Sequence, residues 1–189
     1  MGSLIALAGV GVAVPAAAFT SWLARTGEFG DPSTSTEVDD TEWIDLGAPD
    51  APQIVIEAYP DYLTLPKGVP REAAIADVSR IFAKLDLDAG GEGLAQEGLM
   101  TQTYENFAIC AWTGDWLTAH LASDAAREDR AATWLGDTGN FPSMVAHDGG
   151  GVTDALLSFA AAAHDGDVKT VHQAFDMQSC GERLGGGKR

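Results

Sequence analysis

A mainly α-helical protein is predicted: one N-terminal transmembrane helix, an acidic linker, then a small antiparallel helical bundle pinned by a disulfide, with at most a short β-hairpin. Three observations lead there. Residues 4–24 form an uncharged run of 21 residues. Residues 26–66 hold ten Asp and Glu and no Lys or Arg. Beyond residue 70 apolar side chains recur at helical spacing, with two cysteines, Cys110 and Cys180, among them.

The uncharged run comes first. At 1.5 Å per residue a helix of that length spans roughly 30 Å, one bilayer core. Pro15 is compatible with it, because membrane helices tolerate proline where local adjustment satisfies the freed carbonyl. A cleaved signal peptide is the competing reading, with an apolar stretch over 4–14 and Ala16, Ala17 and Ala18 as the small-residue cleavage pattern. Met1, Gly2 and Ser3 supply no basic n-region, which favours a retained signal-anchor over residues 1–25. Trp22 and Arg25 then read as its interfacial anchor. The lysine- and arginine-free stretch after it favours translocation, so the domain is expected on the periplasmic or extracellular side of the cell membrane.

Residues 26–52 read as a Pro-, Gly- and Ser-rich linker stiffened by like charges. An apolar knot of Trp43, Ile44 and Leu46 interrupts it. Either the knot folds back onto the domain, or it docks onto a basic, grooved protein partner. Gln53 to Ala58 and Tyr62 to Leu65 are short runs with strand character, readable as a small hairpin or as extended packing segments. Pro60 and Pro66 favour irregular structure there.

The domain proper is expected over 53–180. Pro70 suits a first helical turn, and Ile75, Val78, Ile81, Phe82 and Leu85 give a helix near 70–86. A long helix near 95–122 carries Met100, Tyr104, Phe107, Cys110 and Leu117. Ser123 is the expected cap of a third helix ending near Gly136. Val152, Leu156, Phe159, Ala160 and Ala163 give the cleanest amphipathic pattern, and Asp167 caps a last helix with Val168, Val171 and Phe175. His120 to Asp124 and His164 to Asp167 read as matching helix–turn–helix corners. In an exported domain the even cysteine pair implies a Cys110–Cys180 disulfide, rather than two reduced core thiols. Residues 181–189 read as a flexible Gly-rich tail.

The net charge of -17 excludes a nucleic-acid binder, since no basic stripe is available to displace counterions from phosphates. The most specific ligand-like spacing lies between the first two helices. Asp86, Asp88 and Glu97 fall on positions 1, 3 and 12 of a loop similar to that of an EF-hand, with Gly91 at the sharp turn and Glu92 at position 7. Gly90 and Leu94 stand where two further oxygen ligands belong, so Ca²⁺ would be held weakly; the ordinary reading is a Gly-rich loop with solvated carboxylates. No other cofactor is implied. His120, His147, His164 and His172 match no zinc spacing, no Ser sits in a glycine elbow, and the cysteines are paired rather than nucleophilic. The leading expectation is therefore a non-catalytic, membrane-anchored accessory or interaction subunit of a larger membrane or cell-envelope complex. A Ca²⁺-binding extracytoplasmic module and a hydrolase using dispersed carboxylates are the alternatives.

Overall fold

A computed structural model describes residues 23–30 and 39–185. The fold is mainly helical with a small three-stranded antiparallel sheet. In chain order the elements are β1 (Arg25–Phe29), β2 (Glu42–Asp45), α1 (Ala51–Glu57), α2 (Arg71–Asp88), β3 (Leu94–Gln96), α3 (Glu97–Ala122), α4 (Ala125–Gly136), a 3₁₀ turn (Thr138–Asn140), α5 (Pro142–Ala146), α6 (Val152–His164), α7 (Val168–Met177) and α8 (Cys180–Arg183).

α3 is the axis. Its 26 residues extend about 39 Å at helical rise, and it packs against α2, α4, α5, α7 and α8 as well as the sheet. A helix surrounded on this scale needs apolar residues on more than one stripe. Accordingly Met100, Tyr104, Phe107, Ile109 and Trp116 are all buried. It ends where Ser123 turns left-handed (φ 54°) and the Asp124 amide returns to the Ala119 carbonyl at 2.9 Å. Asp124, not Ser123, then caps α4 by accepting from the Arg127 amide. Asp167 caps α7 in the same manner through Thr170. The start of α6, which follows three glycines, is capped by Asp148. Its carboxylate accepts from the amides of Thr153 (2.8 Å), Val152 (2.9 Å) and Gly150 (3.1 Å), and these bonds hold it well below the usual carboxylate range.

The N-terminal side differs from the sequence reading. The stretch expected to be a linker contributes two strands. β2 lies between β1 and β3, pairing Ile44 with Ala95 and Asp45 with Leu94. Ala24, expected at the end of a membrane helix, is fully buried beside the sheet, and its carbonyl accepts from the Asp45 amide at 2.7 Å. Arg25, read from the sequence as part of an interfacial anchor, is engaged within the fold. It joins β1 to β2 and α3, meeting Glu42 at 2.6 Å and Glu97 at 3.2 Å. Burial pushes the Glu42 carboxyl up, but the Arg25 and Gly27 bonds outweigh it and hold the group below its ordinary value. The rest of the expected span, residues 4–22, lies outside the described residues. Among the described residues no helix is long and apolar enough to cross a membrane.

The run from Gln53 to Glu57 is helical, within α1, with Ala58 as its C-cap, and forms no hairpin. Pro52 occupies its first turn, while Ala51, Ile54 and Val55 are buried, so tertiary burial overrides the β-branched preference. Tyr104 fastens α1 to α3, its hydroxyl donating to the Val55 carbonyl at 2.8 Å. Residues 59–70 are irregular, in keeping with their prolines. Of the residues read as a Gly-rich tail, Gly181 to Arg183 belong to α8 and Leu184 packs against the core.

Candidate functional site

Cys110, midway along α3, is bonded to Cys180 at the start of α8, and both are fully buried. The bond fastens the four-residue α8 to the central helix, beside the Arg183–Asp77 ion pair and the packing of Leu184 on the core. After Cys180 and Gly181 come Glu182, Arg183 and Leu184, and these form one wall of a cleft.

That cleft, of about 800 Å³, runs between α2 and α3. Small residues open it: Ala73 and Ala76 on α2 face Ala111 and Gly114 on α3. A Cβ at Gly114 would already lie 3.3 Å from both Leu184 and Phe175. Phe107 and Phe175 add aromatic surface to the lining. A second hollow of about 560 Å³, reaching Trp112 and Arg130, shares Lys67, Gly68, Asp115 and Arg127 with the first.

The rim is cationic in an acidic protein. Lys67, Arg80, Arg127, Arg130 and Arg183 all line the two hollows, nearly half of the chain's 11 Lys and Arg. Two of the acids lining the hollows aim guanidinium groups, whereas Asp124 caps α4 and Glu182 is exposed with no cation partner among the described residues. Asp77 meets Arg80 at 2.5 Å and Arg183 at 3.1 Å, and Asp115 accepts two bonds from Arg127, at 2.9 and 2.5 Å. The Asp115 bond raises Arg127 further above its ordinary pKa. Lys67 and Arg130 pair with no carboxylate among the described residues. Lys67 is held at the mouth by a turn in which the Val69 amide returns to Pro66 and Gly68 adopts φ +96°, a conformation that favours glycine. Thr64 moors the approach to that turn. Its carbonyl accepts from the Trp112 indole (3.0 Å) and its hydroxyl from the Trp134 indole (2.8 Å), with the two indoles stacked 5.3 Å apart.

A second polar cluster lies inside the fold. Glu105 is fully buried in α3 and accepts from the Tyr62 hydroxyl at 2.5 Å and from the Ser143 and Met144 amides at 2.9 and 2.7 Å. Those amides open α5, whose own N-cap residue, Phe141, offers no side-chain acceptor. Burial pushes the Glu105 carboxyl above its ordinary value, against the lowering effect of Tyr62, the two amides and nearby His147. This carboxylate is a helix cap supplied across the core.

The residues singled out from sequence fall elsewhere. Ile44 and Leu46 are buried in the core, so these two side chains of the apolar knot pack onto the domain. Trp43 is half-buried, its indole donating to the Gly30 carbonyl at 2.9 Å. The EF-hand-like spacing is not gathered into one cage. Asp86 accepts from the Gly93 amide, Asp88 pairs with Lys84, Glu97 pairs with Arg25, and Glu92 is exposed on the loop. A Cβ at Gly93 would stand 2.8 Å from the Asp86 Cα, so this loop is closed tightly on its own backbone. Among the described residues no three His, Cys, Asp or Glu side chains are grouped to hold a metal ion. His120 stacks on Trp116, while His147 approaches Asp39 at 3.9 Å. The cleft was missed because its residues come from five separate stretches of chain. The one local signal was the scarcity of cations, which gives each of them unusual weight. Compared with known protein families, curated proteins and solved structures, the chain matches none.

Proposed function

We propose that this chain is a non-catalytic interaction subunit whose folded domain lies outside the cytoplasmic membrane, held there by the uncharged run that precedes Leu23, and that the cleft between α2 and α3 is its contact surface for a protein partner. The observation that carries the reading is the joining of disulfide and cleft. The Cys110–Cys180 bond secures the α8 wall that Arg183 and Leu184 contribute. A structural disulfide persists in oxidising compartments. The ion-paired acids of the cleft favour binding over hydrolysis, because Asp77 and Asp115 are committed to neighbouring guanidinium groups. A general acid–base pair needs carboxyls free to exchange a proton. The uncharged N-terminal run supports the anchorage.

Photo-crosslinking in intact cells tests the reading. A diazirine amino acid is placed at Thr118, an exposed residue lining the cleft, and in a second full-length chain at Lys169 on α7. The expected result is one discrete protein adduct from position 118 and none from 169. No adduct at 118, or the same adducts from both positions, overturns the assignment of the cleft.

A further inference from the structure

The geometry points to an acidic peptide segment with an apolar anchor residue as the occupant of the α2–α3 cleft. This rests on the reading of the cleft as the contact surface and adds the chemistry of what enters it.

Three features of the cleft argue for that chemistry. The first is charge. The chain carries 28 Asp and Glu against 11 Lys and Arg, so a basic segment finds carboxylates over most of the surface. Along the cleft and its continuation Lys67, Arg80, Arg127, Arg130 and Arg183 stand against Asp77, Asp115, Asp124 and Glu182; Asp77 and Asp115 are bonded to guanidinium groups, and Lys67 and Arg130 have no carboxylate partner among the described residues. Against the strongly acidic chain as a whole, this local excess of cations favours an acidic ligand over a basic one.

The second is preorganisation. Arg127 spends its Nε and one terminal nitrogen on Asp115, and Arg183 spends one terminal nitrogen on Asp77. Each guanidinium is thereby fixed in direction while retaining N–H donors for a further carboxylate. Charge-assisted bonds from cations already held in place cost less ordering on binding than bonds from free side chains.

The third is shape. The cleft is open to solvent along one side and continues past Lys67 and Arg127 into the hollow beneath Arg130. Compact ligands are bound in enclosed pockets that bury most of their surface. An extended groove with apolar lining and charged rim instead suits a peptide that lays down an aliphatic or aromatic anchor and leaves its flanks at the edge. The lining around Ala76, Ala111 and Phe107 receives the anchor, and Lys67, Arg127, Arg130 and Arg183 receive flanking Asp or Glu.

Selection from a displayed library of random 12-residue peptides on the folded, oxidised protein tests this. The expected winners carry at least two Asp or Glu beside a Leu, Phe or Trp. Resynthesised, such a peptide should bind Lys67→Glu/Arg130→Glu at least tenfold more weakly, and Lys169→Glu as tightly as the parent. Both reversed residues are exposed and unpaired, so folding is spared. Ala76→Trp, which fills the cleft from an exposed helix position, should also lose at least tenfold. Neutral or basic winners, or acidic winners indifferent to all cleft variants, overturn the proposal. So does a failure to enrich any peptide while dodecanoate quenches the Trp112 fluorescence, which would make the cleft a site for a lipid-like acid. Failure of crosslinking at position 118 strikes the contact surface itself, whereas basic or neutral winners strike only the occupant's chemistry.

Discussion

Replacing Glu105 by Ala removes one carboxylate and strands three donors at once, the Tyr62 hydroxyl and the Ser143 and Met144 amides. The cost follows from how far water can replace it. Tyr62 is 43% exposed and the two amides belong to half-buried residues, so each donor lies at the low end of the penalty for an unsatisfied group, about 1 kcal/mol. Against this stands relief of the carboxylate's own burial, which is large enough to raise its pKa. The net expectation is a loss of roughly 2 kcal/mol of unfolding free energy. Urea unfolding at unchanged m-value measures it. Native-state hydrogen exchange should show Ser143 and Met144 losing protection while the centre of α3 keeps its own.

The pH dependence has a definite sign. Because the folded state raises the Glu105 pKa, it retains a proton that the unfolded chain has released. Glu105 therefore adds most to stability below the ordinary carboxylate pKa, and that contribution falls as pH rises from there through the folded value. Glu105→Gln has no such titration. The penalty for Gln should accordingly shrink between about pH 4 and neutrality. An Ala variant within about 0.5 kcal/mol of the parent, with α5 protection intact, would refute the idea that this carboxylate caps α5 from across the core.

Three further outcomes are expected. Cys110→Ala should lower stability by about 4 kcal/mol, the chain-entropy value for a bond closing a separation of 70 residues, and should release α8 from α3 in hydrogen exchange. Gly98→Ala should destabilise by about 1–3 kcal/mol even though Ala is the better helix former, because its Cβ would fall 2.4 Å from the buried Asp39 carboxylate; a gain in melting temperature would disprove that close approach. Mass spectrometry of the native protein should find peptides N-terminal to Phe19, whereas a uniform N-terminus at Phe19 would show the anchor to be removed.

The helical part of the fold was legible where a pattern is local. Val78 and Phe82, or Leu156, Ala160 and Ala163, lie one helical turn apart and are buried as their spacing implies. The corners at Asp124 and Asp167 carry their own capping chemistry, although Ser123, read as the cap, is the left-handed residue before it. Strand order was not legible in the same way. β2 has four residues and β3 three, and they pair across some fifty positions of chain, so no short-range alternation announces them. An acidic composition also hid the structure of residues 26–30 and 39–52. Glu42 reads as a linker residue until Arg25 and the Gly27 amide are seen against it. Glu105 reads as a polar position on a long helix, since its three partners come from residues 38–43 positions away. The cysteine pair was legible because an even pair, in a chain expected from its N-terminal run to be exported, reads as one disulfide, but that it walls a cleft follows only from where α8 lies.

The redox state of the cysteines in living cells bears most directly on a disulfide-built contact surface outside the cytoplasm. Cells are quenched in acid, the precipitate is dissolved in denaturant with excess N-ethylmaleimide, and remaining disulfides are then reduced and tagged with a maleimide polymer. Two tags per chain, at Cys110 and Cys180, are predicted. Chains that take up N-ethylmaleimide at both cysteines, and no polymer after reduction, would place the domain in a reducing compartment and contradict the proposed site of action.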